Sequence, residues 1–468
     1  MQLNYVKIMI SAWFSFLAMW STVLIAQFPK EELERGKVLD KVICIENQTY
    51  SYALYLPSNY HDSLQWPVIF ILEPAARGAL ATSVFKLAAE KYGYIIACSN
   101  DSRNGLFLDN YKIVEIFTND VYSRFNIDNS RIYFSGFSGG SRVALSVAVL
   151  NSSIAGVIGC GAALSSNPEF HPIKNHDFVY IGLVGNRDMN YLEMFDMEEY
   201  LTSIKLSNSL RVFEAGHRWP PSETMLDAIE WIEIEAMKKG LQPIDSGFVN
   251  MLFEKRKLQT AAQIDSGNLV EAMHQYKNRI RTFKGIAEII EIEQNMQLLE
   301  QDKSFKKERK SVEKSRALEI DYRSDFRLAA MQLQILNPVP DSLHHWWSFQ
   351  LKRLRQMEEN KSRSQQLMAA RLINMISAMS IEWSQSLIEE KRYYNARELI
   401  KLGVELNPDS YYYYYKMAII EILNNNNEGA FQALESAVEN GLDLNWLRSS
   451  DFDEIRETDQ FKKLSSKL

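Results

Sequence analysis

Between about residue 41 and residue 237 the chain alternates short β-branched or aromatic runs with longer amphipathic stretches. Continuous or alternating apolar runs of four to seven residues predict strands at 41–45, 50–56, 67–72, 94–98, 131–134, 156–160, 178–184 and 210–214. Apolar residues at helical spacing predict helices at 80–91, 111–125, 140–151, 191–205 and 222–239. From the third strand onward each strand is followed by a helix, which is the signature of a mostly parallel sheet covered on both faces.

After Gly240 the strand pattern stops, and helical periodicity continues with breaks at Pro338–Pro340 and Asn407–Asp409, so a domain boundary is expected near 240. Within this second part Ala396 in YYNARELIKLGVELNPD and Ala430 in NEGAFQALESAVENG lie 34 residues apart. Leu399 aligns with Ala433, and Gly403 with Ala437. Thirty-four residues is the tetratricopeptide period, so tetratricopeptide-like repeats are expected, clearest over 376–440, and such repeats offer a surface to a protein partner. At the other end, Lys7 precedes an uncharged apolar run from Ile8 to Ala26. That pattern predicts an export signal over 1–26, cleaved between Ala26 and Gln27, and an exported, periplasmic or secreted protein. Left uncleaved, a run of this length serves as an N-terminal membrane anchor.

Composition narrows the function classes. With 468 residues, 46% hydrophobic, 24% charged and a formal net charge of −7, the chain is globular, has room for more than one domain and carries no basic signature for nucleic acid. The basic segment 301–316 is interleaved with Asp302, Glu308 and Glu313, which reads as a solvated helix face. Cys44, Cys98 and Cys160 are well separated, odd in number and set in apolar stretches, so they are expected as buried thiols. His171 and His176 lack a further spaced ligand, and the adjacent His344 and His345 would point apart on a helix. No metal site is expected.

The chemistry concentrates in RIYFSGFSGGSRVAL, where an apolar run leads through Gly136, Phe137, Ser138, Gly139 and Gly140 into a helical stretch. GxSxG between strand and helix lifts the serine on a strained turn, with the glycines leaving room for the neighbouring backbone. A serine hydroxyl needs an imidazole to take its proton and a carboxylate to hold that imidazole in the right tautomer. Downstream, Asp188 follows the apolar run of DFVYIGLVGNRDMNY and His217 follows that of LRVFEAGHRWPP, each in a loop after a late strand. Asp177 precedes its strand and Asp196 falls inside the next helix, so Asp188 is preferred. An oxyanion also needs two donors: the N–H of Gly139 and, because Pro74 has none, that of Ala75 or Ala76 in the loop Glu73–Gly78. Phe137 and Trp219 are candidates for the substrate pocket.

Together YALYLPSNY, WPVIFILEP, GFSGGSRVA and GHRWPP resemble the poly(3-hydroxybutyrate) depolymerase and feruloyl esterase branch of α/β-hydrolases, over roughly 45–235. The resemblance implies an α/β-hydrolase domain over 41–240, followed by an all-α tetratricopeptide-like domain over 241–468. It also implies a serine hydrolase that cleaves small-molecule or polymeric carboxylic esters through Ser138, Asp188 and His217, without a cofactor. The loop at Glu73 departs from the HGGG type, so no particular polyester is implied. The same triad serves peptidases, and a vestigial hydrolase fold with repeats for a partner is the third reading.

Overall fold

A computed structural model describes residues 33–466, so the N-terminal run expected to act as export signal or anchor lies outside the described residues. Among the described residues no helix is long and apolar enough to cross a membrane. The chain divides into two compact units that meet at Arg309 and Lys310. Helices 246–301 therefore belong with the first unit, beyond the composition break near 240.

The first unit is built on eight strands: β1 (Val38–Ile43), β2 (Ser51–Tyr55), β3 (Trp66–Leu72), β4 (Ile95–Ser99), β5 (Ile127–Phe137), β6 (Gly156–Cys160), β7 (Val179–Gly185) and β8 (Asn208–Phe213). They form one sheet in the order β1-β2-β4-β3-β5-β6-β7-β8. β1 and β2 run antiparallel to their neighbours, and from β4 to β8 every pairing is parallel. Helices α1 (Gly78–Tyr92), α2 (Phe107–Arg124), α3 (Gly139–Leu150) and α4 (Tyr191–Ser203) connect strands, and α5 (Ser222–Lys238) follows β8. Three more, α6 (Ser246–Asp265), α7 (Leu269–Phe283) and α8 (Ile290–Gln301), follow.

Every residue of β3 and β7 is buried, as central parallel strands require, which is why WPVIFIL and VYIGLVG read as unbroken apolar runs. Alternate residues of β3 serve opposite faces. Val68, Phe70 and Leu72 pack with Phe117 and Val121 of α2 and Leu145 of α3, while Ile69 and Ile71 pack with Phe85 of α1 and Ile229 and Ile232 of α5. Cys44, Cys98 and Cys160 are separate buried thiols, and burial is the first cause that pushes their pKa up. The parallel strands all end on one edge, where the loops after β3, β5, β6, β7 and β8 converge. In such sheets that carboxyl edge is where ligands bind.

The second unit, from Lys310, is helical. It begins within α9 (Lys303–Ile335) and continues through α10 (Asp341–Glu358), α11 (Arg363–Glu389), α12 (Tyr393–Leu406), α13 (Tyr411–Leu423), α14 (Asn427–Glu439) and α15 (Asp459–Ser465). From α10 to α14 each helix packs on the next, the nearest-neighbour pattern of a helical array. Ala396 and Ala430, the residues 34 apart, are fully buried in α12 and α14. Trp347, Tyr413 and Tyr415 are core residues, with Trp347 stacked on Phe326 at 5.6 Å.

Candidate active site

The turn between β5 and α3 holds Ser138 at φ 50° and ψ −122°, a left-handed conformation that costs a non-glycine residue energy and is kept only where surrounding structure enforces it. The enforcement is visible. The N–H of Ser138 donates to the carbonyl of Cys160 at 2.8 Å, and its own carbonyl accepts from Ser141 at 3.0 Å. A Cβ on Gly136 would overlap the backbone of Gly140, and one on Gly140 would overlap the Leu72 carbonyl, so helix α3 reaches this position only because both residues are glycine.

Asp188 lies in the loop after β7 and His217 in the loop after β8. The two loops are tied together, since Asn186 and Arg187 donate their N–H groups to the carbonyls of Phe213 and Ala215 at 2.8 and 2.9 Å. His217 Nε2 sits 3.0 Å from Ser138 Oγ, and His217 Nδ1 lies 3.0 and 2.9 Å from the two carboxylate oxygens of Asp188. Asp188 is wholly buried, and the N–H of Asn190 donates to its Oδ1 at 2.8 Å. Ser138 and His217 are half-buried, open to a reactant. Such a chain of hydroxyl, imidazole and buried carboxylate can take a proton from the hydroxyl and return it to a leaving group.

The loop after β3 corrects one expectation. Glu73 is wholly buried and folds back to accept the N–H groups of Ala75 and Arg77 at 2.8 and 2.9 Å, while the N–H of Ala76 donates to the Glu73 carbonyl at 3.1 Å. The Arg77 guanidinium closes the loop on the same carboxylate. Burial opposes its charge, but the bonds from Arg77 and Ala75 prevail and hold Glu73 below the usual carboxylate range. With both N–H groups taken, neither Ala75 nor Ala76 is the second oxyanion donor. Gly139 opens α3, where first-turn N–H groups have no carbonyl within the helix.

The residue that sequence reasoning missed is Asn104, in the loop between β4 and α2. Its N–H donates to the Pro74 carbonyl at 3.0 Å, and its carboxamide lies against Gly139, where a Cβ would overlap Oδ1 and stand 3.9 Å from Nδ2. A half-turn of the amide exchanges the two atoms. An asparagine in a polar loop, RNG, carries no motif that would single it out.

Phe137 and Trp219, the candidates for the substrate pocket, are both buried. Phe137 lies 4.6 Å from the His217 ring and 5.5 Å from Trp219, which meets Phe85 at 6.1 Å, so the rings form a wall behind the imidazole. Gly161, at φ 65°, closes the other side. A Cβ there would stand 2.9 Å from Phe137, 3.2 Å from Asp188 Oδ2 and 3.3 Å from His217 Cε1. Its carbonyl accepts Asn190 Nδ2 at 2.7 Å.

Elsewhere His171 Nε2 is within 2.8 Å of the Ser165 carbonyl and His176 Nδ1 accepts the N–H of Ile173, so both are used in their own loop. Among the described residues no group of three or more His, Cys, Asp or Glu is placed to hold a metal ion.

Residues 93–236 match the phospholipase/carboxylesterase family model. No curated protein matches the sequence. Similar solved structures include an S-formylglutathione hydrolase from Staphylococcus aureus, at 12% identity over 42% of this chain and 98% of that one, with a TM-score of 0.34. Another is the feruloyl esterase module from Clostridium thermocellum complexed with sinapinate, at 13% identity over 45% of this chain and 94% of that one, TM-score 0.34. A third is a hyperthermophilic esterase from Pyrobaculum calidifontis, at 11% identity over 42% and 84%, TM-score 0.34. The sheet order and the turn at Ser138 give the first unit the α/β-hydrolase fold, within which residues 93–236 are similar to the phospholipase/carboxylesterase family.

Proposed function

We propose that this protein is a serine hydrolase of carboxylic esters that works through an acyl-enzyme at Ser138. The observation that carries the reading is the unbroken chain from Ser138 Oγ to His217 at 3.0 Å and on to buried Asp188 at 2.9 Å. In this reading His217 takes the Ser138 proton as the hydroxyl oxygen attacks the ester carbonyl. It then gives that proton to the departing alcohol, and repeats both steps with water to release the acid. Asp188 fixes the tautomer with Nδ1 protonated and stabilises the imidazolium. In this reading the oxyanion is met by the Gly139 N–H and by the carboxamide of Asn104, which lies against Gly139.

The match to a phospholipase/carboxylesterase family favours esters over amides. The signal-like run before Gln27 supports an exported enzyme, and the packed pair around Ala396 and Ala430 supports a tetratricopeptide-like second unit that receives a protein partner. The deciding experiment sets p-nitrophenyl esters of increasing acyl length against peptide p-nitroanilides, with Ser138→Ala as control. Ester turnover that disappears in the variant is expected. Amide turnover exceeding ester turnover, or ester turnover retained by Ser138→Ala, overturns the proposal.

A further inference from the structure

Helix α7 lies along the outer edge of the sheet and covers backbone groups that the edge strand β8 would otherwise expose. Asn278 does part of this. Its Nδ2 donates to the Leu210 carbonyl at 3.0 Å, and its Oδ1 accepts from the Ser209 hydroxyl at 3.1 Å. Beside that seam a partly open cavity of about 280 Å³ is lined by β8, α5, α6 and α7, with Arg211, Asp227, Arg256, Glu271, Arg279 and Thr282 in its wall.

The charges around it do not cancel. Arg256 is matched, since it donates to Asp227 at 2.6 Å, and Lys255 reaches the same carboxylate at 2.6 Å. Glu271 accepts from Gln275 at 3.3 Å and lies 3.9 Å from His274 Nδ1, while His274 and Arg281 both bind Glu198. Two cations are left. Arg211 donates to neutral groups, the Ser209 hydroxyl at 2.7 Å and the Leu210 carbonyl at 3.3 Å. Arg279, only 6% exposed, lies 5.5 Å over the Phe253 ring and 5.8 Å over that of Tyr276. Burial pushes the pKa of both guanidinium groups down, because the negative charge within reach does not offset desolvation.

The unsatisfied atoms point to the same ligand chemistry. The Nε of Arg211, the Nε of Arg279 and the Thr282 hydroxyl are buried without a hydrogen-bond partner among the described residues, and so is Gln275 Oε1. Buried donors are costly when unmatched, and cations more so. A guanidinium fork matches a carboxylate or a phosphate, Thr282 adds a neutral donor, and Gln275 supplies an acceptor for a hydroxyl on the same molecule.

We propose that the cavity between β8, α5, α6 and α7 binds a small hydroxylated oxyanion, either hydrogenphosphate or a 2-hydroxy carboxylate, through Arg211, Arg279, Thr282 and Gln275. The site is separate from Ser138 and does not depend on the reaction there.

Thermal unfolding of the full chain, titrated with inorganic phosphate, lactate and acetate at ionic strength held constant with sodium chloride, tests it. Phosphate or lactate is expected to raise Tm saturably in the wild type and equally in Ser138→Ala, with acetate weaker. Phosphate alone acting, or lactate alone, identifies the source of the anionic group. Thr282→Val, which keeps the side-chain shape, and Arg279→Gln should each weaken the apparent affinity at least tenfold. Should Arg279→Gln fail to fold, Thr282→Val carries the comparison. No saturable shift with phosphate or lactate, or an undiminished shift in the variants that fold, overturns the proposal.

Discussion

Replacing Gly161 by alanine tests how closely the residues around Ser138 are fitted. At φ 65° an alanine takes on the left-handed backbone cost of about 1–2 kcal/mol. Its Cβ also comes within 2.9 Å of the Phe137 ring. Phe137 is held between His217 at 4.6 Å and Trp219 at 5.5 Å, so the overlap is relieved only by moving groups that are already packed, an overpacking cost of about 1–3 kcal/mol. The sum predicts a fall in Tm on the order of 10 °C. The same Cβ stands 3.2 Å from Asp188 Oδ2 and 3.3 Å from His217 Cε1, and a displacement approaching 1 Å there costs on the order of 100-fold in turnover. With p-nitrophenyl acetate, assayed well below Tm and with circular dichroism confirming the fold, kcat should drop roughly 10- to 100-fold while KM changes little. A folded Gly161→Ala with kcat within about twofold of wild type would refute the reasoning, since the close fit would then not matter.

Three further outcomes follow from the same geometry. Asp188→Asn presents an amide where His217 Nδ1 needs an acceptor, so kcat should fall roughly 10³- to 10⁴-fold, about 4–5.5 kcal/mol, in a protein that still folds; a loss below tenfold contradicts Asp188 as the orienting acid. Asn104→Ala should cost on the order of 10²-fold in kcat with KM preserved, and Asn104→Asp more, because it sets a negative charge beside the developing oxyanion; unchanged kinetics in both removes Asn104 from the site. The buried cluster of Glu198, His274 and Arg281 makes stability depend on pH. Burial opposes both charges, but His274 and Arg281 lower Glu198 from 4.5 to about 2, and Glu198 raises His274 from 6.5 to about 9. The Glu198 contribution is present above pH 4.5 and lost as pH falls towards 2, while that of His274 is present below pH 6.5 and lost as pH rises through 9. Tm measured across this range should be highest between those inner limits, and Glu198→Gln should flatten both slopes; a variant with the wild-type profile contradicts the assignment.

The sheet was legible because its physics is local. β3 and β7 are buried on both faces and so read as unbroken apolar runs, and every strand expected from such runs is present. β5 begins four residues earlier and ends three later than expected, because DNS at 128–130 is too polar to read as strand yet continues it, and the glycines of the serine turn do the same at its other end. The positions of Ser138, Asp188 and His217 followed from the order of loops on the sheet's carboxyl edge, and the structure brings the three within hydrogen-bond distance. What could not be read was how loops distant in sequence share their backbone groups. Nothing in EPAARG says that Glu73 turns inward and takes the N–H groups of Ala75 and Arg77, and nothing in RNG says that Asn104 reaches Gly139. Phe137 and Trp219 were read as pocket residues because both adjoin the reactive residues, whereas their burial turns them into support behind His217. The composition break near 240 marks the end of the strands but not the end of the first unit, because α6 to α8 continue it up to Arg309.

The central claim is that Ser138 is a nucleophile activated by His217. It is tested most directly by treating the purified protein with a fluorophosphonate probe and locating the adduct by peptide mass spectrometry. A single adduct on the peptide carrying Ser138 is predicted, absent in Ser138→Ala and strongly slowed in His217→Ala. An adduct on another serine, or equal labelling of wild type and Ser138→Ala, would contradict the account.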